Sequence, residues 1–230
     1  AEFVRTNQRL ILDHQWLQWH IDRQLERVQR TARDAGMPLG LYHDLALATD
    51  RCGADLWGYR RFYAKGARVG SPPDDFAPEG QDWAFPPPLP DVHRADGYRL
   101  FAESIRRNAR HGGALRIDHV MRFFRLFWIP DGMPAKAGSY LHDHWQDLIR
   151  VLCLESHRGQ FLVVGEDLGT CPGWVRDALR DHGILSYKLF YFERGHEGRP
   201  KSPGEYDTQA LVSSTTHDLP TLAGFWSLRD

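Results

Sequence analysis

The chain has 230 residues, of which 42% are apolar and 26% charged, a composition typical of a globular protein. Its net charge is −1, from 29 Lys and Arg against 30 Asp and Glu, so it has no basic field that could hold nucleic acid. The longest apolar stretches, such as residues 126–129, are too short to cross a membrane. We therefore expect neither nucleic acid nor membrane as a partner.

The number and spacing of the cysteines indicate the cellular compartment of the protein. Cys52, Cys153 and Cys171 are too few and too scattered for a disulfide scaffold or a thiolate zinc site. We expect a cytoplasmic protein in a reducing environment, with no signal peptide before the first helix. The chain begins at Ala1 without a Met and stops at Asp230 in a helical pattern, which predicts that it is a piece of a longer protein.

The first half of the chain combines two well-patterned elements with a long irregular segment. Apolar residues at three- and four-residue spacing predict one helix over 7–35, and Gly36 suits its end. The apolar run 39–42, which leads to Asp44, predicts a buried strand. Residues 48–96 have no sustained period and hold two proline clusters, so we predict a long functional loop or subdomain insertion there.

Beyond residue 96, helical and strand patterns alternate without hairpin signals. The predicted helices cover 97–111, 139–157, 172–183 and a segment starting near 220, and the predicted strands cover 114–118, 161–165, 185–192 and 211–216. Alternating βα units predict a parallel sheet covered by helices. Because no Gly-rich nucleotide-binding turn is present, a (β/α)8 barrel is favoured over a doubly wound sheet.

The number of βα units predicts that only part of such a barrel lies in this chain. About five units are visible, against the eight of a closed barrel. We therefore expect residues 1–230 to be one partial barrel domain, with 48–96 inserted after its first visible strand. The first and last strands of the barrel would then lie outside this chain.

An acidic residue follows every predicted strand: Asp44, Asp118, Glu166, Glu193 and Asp218. A single one would be explained as a helix cap or a turn residue. Five carboxylates on one rim repel each other, which favours a functional role. Converging carboxylates suit two chemistries, the binding of a divalent cation and the transfer of a glycosyl group.

The neighbours of these carboxylates favour glycosyl transfer over metal binding. Arg116 lies two residues before Asp118, so both point to one side of a strand, and a fixed cation there favours the ionised carboxylate that a nucleophile requires. Glu166 follows an apolar strand, where partial burial would keep it protonated as an acid. His217, beside Asp218, suits hydroxyl recognition, and no metal-binding motif surrounds it. We expect neither a metal nor a cofactor.

Four segments in order carry a family resemblance: GLYHDLA (40–46), ALRIDH (114–119), VGEDLG (164–169) and THDLPT (216–221). They resemble motifs of the bacterial 4-α-glucanotransferases, also called amylomaltases or disproportionating enzymes, which are relatives of the α-amylases. Residues 72–76 and 80–83 resemble the loop after that family's third barrel strand, and 186–193 also match. The resemblance extends from about Trp16 to the end of the chain.

The resemblance implies a role for each matching residue. Asp118 matches the nucleophile, Glu166 the general acid/base and Asp218 the stabiliser of the transition state. The matches that position the nucleophile or contact the substrate are Arg116, His217, Asp44, Gln81, Trp83, His119 and Asp167. The implied activity is the transfer of an α-1,4-glucan segment from a maltodextrin donor to the 4-hydroxyl of an acceptor glucan or glucose, with retention of configuration and without a cofactor.

Two departures and two alternatives accompany this resemblance. Ala84 and Phe85 replace the Gly and Asn that many members carry after the tryptophan, which affects the contacts of this loop and hence the preferred donor length. A glucan hydrolase or isomerase of the α-amylase group would share the three carboxylates. Alternatively, the fragment is inactive, because a partial barrel exposes strand edges and loses part of its core.

Overall fold

The computed structural model describes residues 2–75, 77–217 and 219–227. In chain order, its helices and strands are α1 Glu2–Thr6, α2 Gln8–Asp34, β1 Tyr42–Leu45, α3 Ala54–Tyr59, β2 Ala67–Ser71, β3 Gln81–Asp82, α4 Pro90–Ala95, α5 Arg99–Asn108, β4 Ala114–Ile117, β5 Arg125–Pro130, β6 Ser139–His142, α6 Trp145–Gly159, β7 Leu162–Gly165, α7 Gly173–Asp181, β8 Leu185–Leu189, β9 Ala210–Ser213 and α8 Leu222–Ser227.

A five-stranded parallel sheet organises the molecule, in the order β1-β4-β7-β8-β9. All four strand pairs are parallel, which confirms the alternating βα pattern predicted from the sequence. Within the described ranges no ladder joins β1 to β9, so the sheet is open at both edges, as expected for part of a barrel.

One face of this sheet packs against helices. Leu115, Ile117 and Val163 alternate along β4 and β7 toward a large apolar cluster formed with α5, α6 and α7. Ile105 and Ile149, from α5 and α6, are completely buried in it. Burying one such side chain stabilises the fold by about 1.5–3 kcal/mol, so this face anchors the strands.

The opposite face of the sheet is more polar at its β1 side. Asp44 on β1 lies beside Arg116 on β4, which in turn lies beside Val164 on β7. Tyr187 on β8 completes this surface and packs with Val164 and Leu189 in a separate small cluster. The side chains predicted to do chemistry therefore lie on the face away from α5–α7.

A second sheet lies where the sequence analysis expected loops and the start of a helix, and its antiparallel pair β5–β6 corrects the expectation that no hairpin follows residue 96. It is antiparallel, in the order β3-β2-β5-β6, and residues 48–96 contribute two of its strands together with α3 and α4. The predicted helix 139–157 is wrong at its start, because Ser139–His142 is strand β6 and the helix begins at Trp145. All four residues of β6 are exposed, so burial leaves no alternating pattern to mark it as a strand.

Two further predictions need correction: helix α1 was not expected, and the strand predicted to be buried is the edge strand β1, none of whose residues is buried, because only one neighbouring strand covers it. The other elements agree with the predictions apart from their ends. Helix α2 has 27 residues and is joined to the rest of the molecule by polar contacts, since Asp22 bonds His111 at 2.9 Å and Gln29 bonds the backbone of Leu39 and Leu41. The strand expected over 185–192 ends at Leu189. No helix in the described part of the chain is long and apolar enough to cross a membrane.

Candidate active site

Asp118 and Glu166 directly follow two adjacent parallel strands, β4 and β7. The amide of Glu166 donates to the carbonyl of Ile117 at 3.0 Å, and the amide of Val120 donates to the carbonyl of Glu166 at 2.9 Å. These bonds extend the pairing of the two strands by one residue. They fix both acids at the same end of the sheet, which is the carboxyl end, where barrel enzymes place their chemistry.

Arg116 links the acids of β1 and β4. Its Nη1 donates to both carboxylate oxygens of Asp44 at 2.8 and 2.9 Å, and its Nη2 lies 2.9 Å from Asp118 Oδ1. The guanidinium carbon lies 5.7 Å from the centre of the Tyr187 ring. Burial works against the charged guanidinium, but the hydrogen bond and charge of Asp44, with the charges of Asp118 and Glu166, outweigh it and raise the pKa of Arg116.

The carboxylate of Asp118 is held on one side and open on the other. Arg116 contacts Oδ1, and the amide of Leu47 donates to Oδ2 at 3.3 Å. The Asp118 amide in turn donates to the carbonyl of Leu45 at 3.0 Å. About a third of the side chain, 36%, stays exposed. This is the arrangement a nucleophile needs: charge-paired, fixed in direction and reachable by a substrate.

Glu166 lies in a different environment. Burial raises the pKa of its carboxyl group, partly opposed by two amide hydrogen bonds and by Arg116, while the charge of Asp118 raises it further. The amides of Leu168 and His119 donate to Oε1 and Oε2, each at 2.8 Å. A carboxyl group that retains its proton to higher pH suits a general acid.

His119 connects the two acids to the loop that carries Trp83. Its backbone is left-handed, with φ 46°, a conformation uncommon for a residue other than glycine and frequent at functional sites. Burial lowers the pKa of its imidazole to about 4 and keeps the ring neutral at physiological pH. The Trp83 ring meets it edge-on at 5.4 Å between centroids, and Trp83 Nε1 donates to Gln81 Oε1 at 2.8 Å. Trp83 thus contacts the residue that follows Asp118, and Gln81 bonds Trp83, while a contact of either side chain with the substrate stays a prediction.

Asp167 points away from this group, although it follows Glu166 in the chain. Its carboxylate accepts bonds from the Ser186 hydroxyl at 2.6 Å, the Tyr187 amide at 3.0 Å and Arg176 at 3.2 Å. The side chain is only 1% exposed. Asp167 therefore joins β7 to β8 and α7, and the structure does not bring it together with the other predicted substrate contacts.

Three other predicted rim residues differ in their placement. Glu193 lies four residues beyond the end of β8 and pairs with Lys201 and Lys188 rather than with the acids of β4 and β7. His217 lies exposed in a turn after β9. Asp218 lies outside the described residues, so its place at the site stays a prediction. Across the described ranges, no group of three or more His, Cys, Asp or Glu is arranged to hold a metal ion.

Several groups at the site could not be found from residue types. The amides of Leu47, Leu168 and His119 direct the two carboxylates. Every residue except proline carries a backbone amide, so residue types do not reveal which amides donate to an acid. For Tyr187 the sequence offered one indication, since the residue lies in segment 186–193, which resembles the family.

A family model described as 4-alpha-glucanotransferase matches residues 1–230. The chain belongs to this family. Family membership confirms the resemblance that the four ordered motifs carry.

Individual members of the family match the chain over nearly its full length. The 4-alpha-glucanotransferase of Mycobacterium tuberculosis is 43% identical over 229 residues, which are 98% of this chain and 32% of that protein. The enzyme of Haemophilus influenzae is 40% identical, over 99% of this chain and 32% of its own length. The chain thus spans about a third of the length of these curated relatives.

Solved structures confirm the fold. The crystal structure of amylomaltase from Corynebacterium glutamicum superposes with a TM-score of 0.91 and 38% identity, covering 96% of this chain and 31% of that one. An amylomaltase from Streptococcus agalactiae, solved with acarbose, gives a TM-score of 0.85 at 21% identity and supports the fold alone. Amylomaltase is a (β/α)8 barrel, so the predicted fold class, with five βα units in this chain, is correct.

Proposed function

We propose that the protein containing this chain is a 4-α-glucanotransferase that moves an α-1,4-glucan segment between maltodextrins by a retaining double displacement. The observation that carries the proposal is the pairing of two unlike acids on adjacent strands. Asp118 is bound to Arg116 and partly exposed, whereas burial raises the pKa of Glu166. A nucleophile and a general acid in this arrangement are what retaining glycosyl transfer needs.

The first displacement uses Glu166 as the acid and Asp118 as the nucleophile. Glu166 gives its proton to the glycosidic oxygen while a carboxylate oxygen of Asp118 attacks C1 of the donor sugar. The bond between C1 and the glycosidic oxygen breaks, and the reducing-end part of the donor leaves with a free 4-hydroxyl. The non-reducing part remains bound to Asp118 as a covalent ester.

The second displacement reverses these roles. Glu166, now a carboxylate, takes the proton of an acceptor 4-hydroxyl, and the acceptor oxygen attacks C1. The ester bond to Asp118 breaks and the α linkage is restored, because two inversions give retention. We assign Asp218 the hydrogen bonds to sugar hydroxyls that strengthen in the oxocarbenium-like transition state.

The remaining predicted residues have supporting roles in this proposal. Arg116 holds the nucleophile and is itself held by Asp44. Trp83 offers an aromatic surface, and Gln81 and His217 offer polar groups for sugar hydroxyls. Apolar sugar faces stack on aromatic rings, so an acceptor held against Trp83 can outcompete water. We keep Asp167 as a supporting residue of the strand framework rather than a sugar contact.

We extend the proposal to organisation, partners and compartment. Residues 1–230 belong to one catalytic barrel domain, with 48–96 as an insertion that carries Gln81 and Trp83 to the site. The substrates are α-1,4-glucans, and the net charge of −1 disfavours nucleic acid as a partner. Three free thiols, at Cys52, Cys153 and Cys171, suit a reducing cytoplasm.

The test is product analysis from maltotriose with the complete natural protein. Glucose together with maltopentaose and longer oligosaccharides is the expected result, with no net gain of reducing ends. A net gain of reducing ends, with glucose and maltose as the only products, would instead mark a hydrolase. Asp118→Asn serves as the inactive control, since any products it forms must come from a contaminating enzyme.

A further inference from the structure

The loop after β1 reaches the nucleophile through a single peptide unit. The amide of Leu47 donates to Asp118 Oδ2 at 3.3 Å. The carbonyl of the same peptide unit belongs to Ala46, and it accepts a bond from Arg122 Nη1 at 3.2 Å. Arg122 and Asp118 therefore contact opposite ends of one peptide group.

Peptide geometry couples these two contacts. In a planar trans peptide the carbonyl and the N–H point in opposite directions, so fixing the direction of one fixes the other. A guanidinium bound to the Ala46 carbonyl thus directs the Leu47 N–H toward Asp118. A cation on the carbonyl also polarises the peptide and strengthens the bond that its N–H donates.

Among the described residues, Arg122 lacks the close carboxylate partner that a buried arginine usually has, although its guanidinium carbon lies 5.8 Å from the centre of the Phe123 ring. It lies in the short helical turn Val120–Phe123 just after the nucleophile, and it is only partly exposed. Within the described ranges, no carboxylate lies within 4 Å of its guanidinium. Burial lowers its pKa, against the favourable but more distant charges of Asp118 and Asp143. A cation so placed costs free energy, which indicates that its bond to the loop has a function.

We propose that Arg122 is a positioning residue for the nucleophile, which it directs through the peptide unit between Ala46 and Leu47. This inference rests on the proposed function, because it concerns the attack of Asp118 on C1. It assigns Arg122 no contact with the sugar. Arg116 contacts Oδ1 of Asp118 directly, whereas Arg122 acts on Oδ2 through the Leu47 amide.

The proposal predicts a specific kinetic change. Without the guanidinium the peptide can rotate and Asp118 loses the bond to Oδ2, so attack on C1 slows while substrate binding stays the same. A nucleophile displaced by about 1 Å loses roughly 100-fold in rate, so we expect kcat for Arg122→Met to fall between about 10- and 100-fold. KM for maltotriose should stay within about twofold, because no binding contact is lost.

The experiment compares four forms of the complete natural protein: wild type, Arg122→Met, Arg122→Lys and Arg106→Met. Arg106 is the matched control, because it pairs with Glu155 between α5 and α6 and lies on the helix side of the sheet. Thermal unfolding and circular dichroism measure any loss of fold. Stopped-flow release of fluoride from an activated α-maltotriosyl fluoride measures the first displacement separately.

The expected result is slow fluoride release in Arg122→Met, partial recovery in Arg122→Lys, whose ammonium can still donate to the Ala46 carbonyl, and normal release in Arg106→Met. The inference is overturned if Arg122→Met loses activity only in proportion to its unfolded fraction, or if KM rises with kcat unchanged, which would make Arg122 a sugar contact. If wild type itself releases no fluoride enzymatically, the proposed function fails instead.

Discussion

The two sheets of this molecule carry different residues of the candidate site. The parallel sheet places Asp118 and Glu166 directly after β4 and β7, so the strand framework sets their positions with no loop between. The antiparallel sheet supplies Gln81 and Trp83 from its shortest strand and the loop after it. The comparison indicates that the acids proposed to make and break bonds follow the parallel strands directly, whereas the groups proposed to contact the sugar lie on a separate, antiparallel sheet.

The largest expected effect concerns the acids that follow the strands of the parallel sheet. Asp118→Asn removes the carboxylate that attacks C1, so we expect kcat for maltotriose disproportionation to fall at least about 10⁴-fold, in the range seen when a nucleophile is removed. The matched control is Asp131→Asn, directly after β5 of the other sheet, which weakens the ion pairs of Asp131 with Arg51 and Arg68. Comparable losses from both substitutions would contradict the assignment of the bond-making step to the acids of the parallel sheet.

Glu166→Gln should come next, with a loss of roughly 10³-fold on ordinary glucans. The acid must be protonated for the first step, so kcat/KM of the wild type should fall as pH rises through the raised pKa of Glu166. A glycosyl fluoride needs no proton on its leaving group, so the first step with that donor should keep its rate in the variant and lose this alkaline limb. Equal losses with both donors would show that Glu166 is not the acid.

The sequence predicted the parallel sheet much better than the antiparallel one. Strands such as β4 are buried at every residue and bear an acid at their end, so composition alone marks them. Strand β3 has two exposed residues and β6 four, which leaves neither an apolar run nor an alternation to detect. The same holds at the site, where Asp118, Glu166 and Arg116 were predicted from residue types.

Side-chain direction was the least predictable property. Glu166 and Asp167 are neighbours of the same charge, and both belong to the segment that resembles the family. The sequence could not tell that Asp167 turns inward to Ser186 and Arg176. Nor could it predict the left-handed backbone of His119, which follows from the tight turn between β4 and Val120–Phe123 and not from its residue type.

Asp167→Asn tests this difference between neighbours. The substitution weakens charge-assisted bonds to Arg176 and Ser186 in a buried setting, so we expect unfolding of the complete protein in urea to show a loss of about 2–3 kcal/mol. Per folded molecule, kcat and KM should not change. A raised KM with unchanged stability would mean that Asp167 contacts the sugar after all, as the resemblance implies.

Trp83→Ala tests the sugar contact proposed for the antiparallel sheet. The substitution removes the ring that meets His119 and that we assign to the sugar, so KM for maltotriose should rise about tenfold, equivalent to roughly 1.4 kcal/mol, while kcat falls less. Trp57→Ala is the matched control, because that ring lies 81% exposed on α3. If Trp57→Ala raises KM as much, aromatic residues across the insertion bind sugar and Trp83 has no special role.

The smallest expected effect follows from Ala84, which has φ 60° at a position where the family resemblance leads us to expect glycine. A side chain in this left-handed region costs about 1–2 kcal/mol, partly offset in a glycine variant by its more flexible unfolded state. We therefore expect Ala84→Gly to stabilise the protein by up to about 1 kcal/mol in urea unfolding. A loss of stability would mean that the alanine methyl group makes contacts that outweigh the strain.

The most direct test of the account is to identify the residue that carries the sugar. The complete Glu166→Gln protein is mixed with an activated α-maltotriosyl fluoride, quenched and digested, and its peptides are mapped by mass spectrometry. A retaining site also requires the carboxyl groups of Asp118 and Glu166 to lie about 5–5.5 Å apart. We predict a maltotriosyl ester on the peptide that contains Asp118. A trapped sugar in Asp118→Asn, and none in Glu166→Gln, would contradict the assignment of nucleophile and acid.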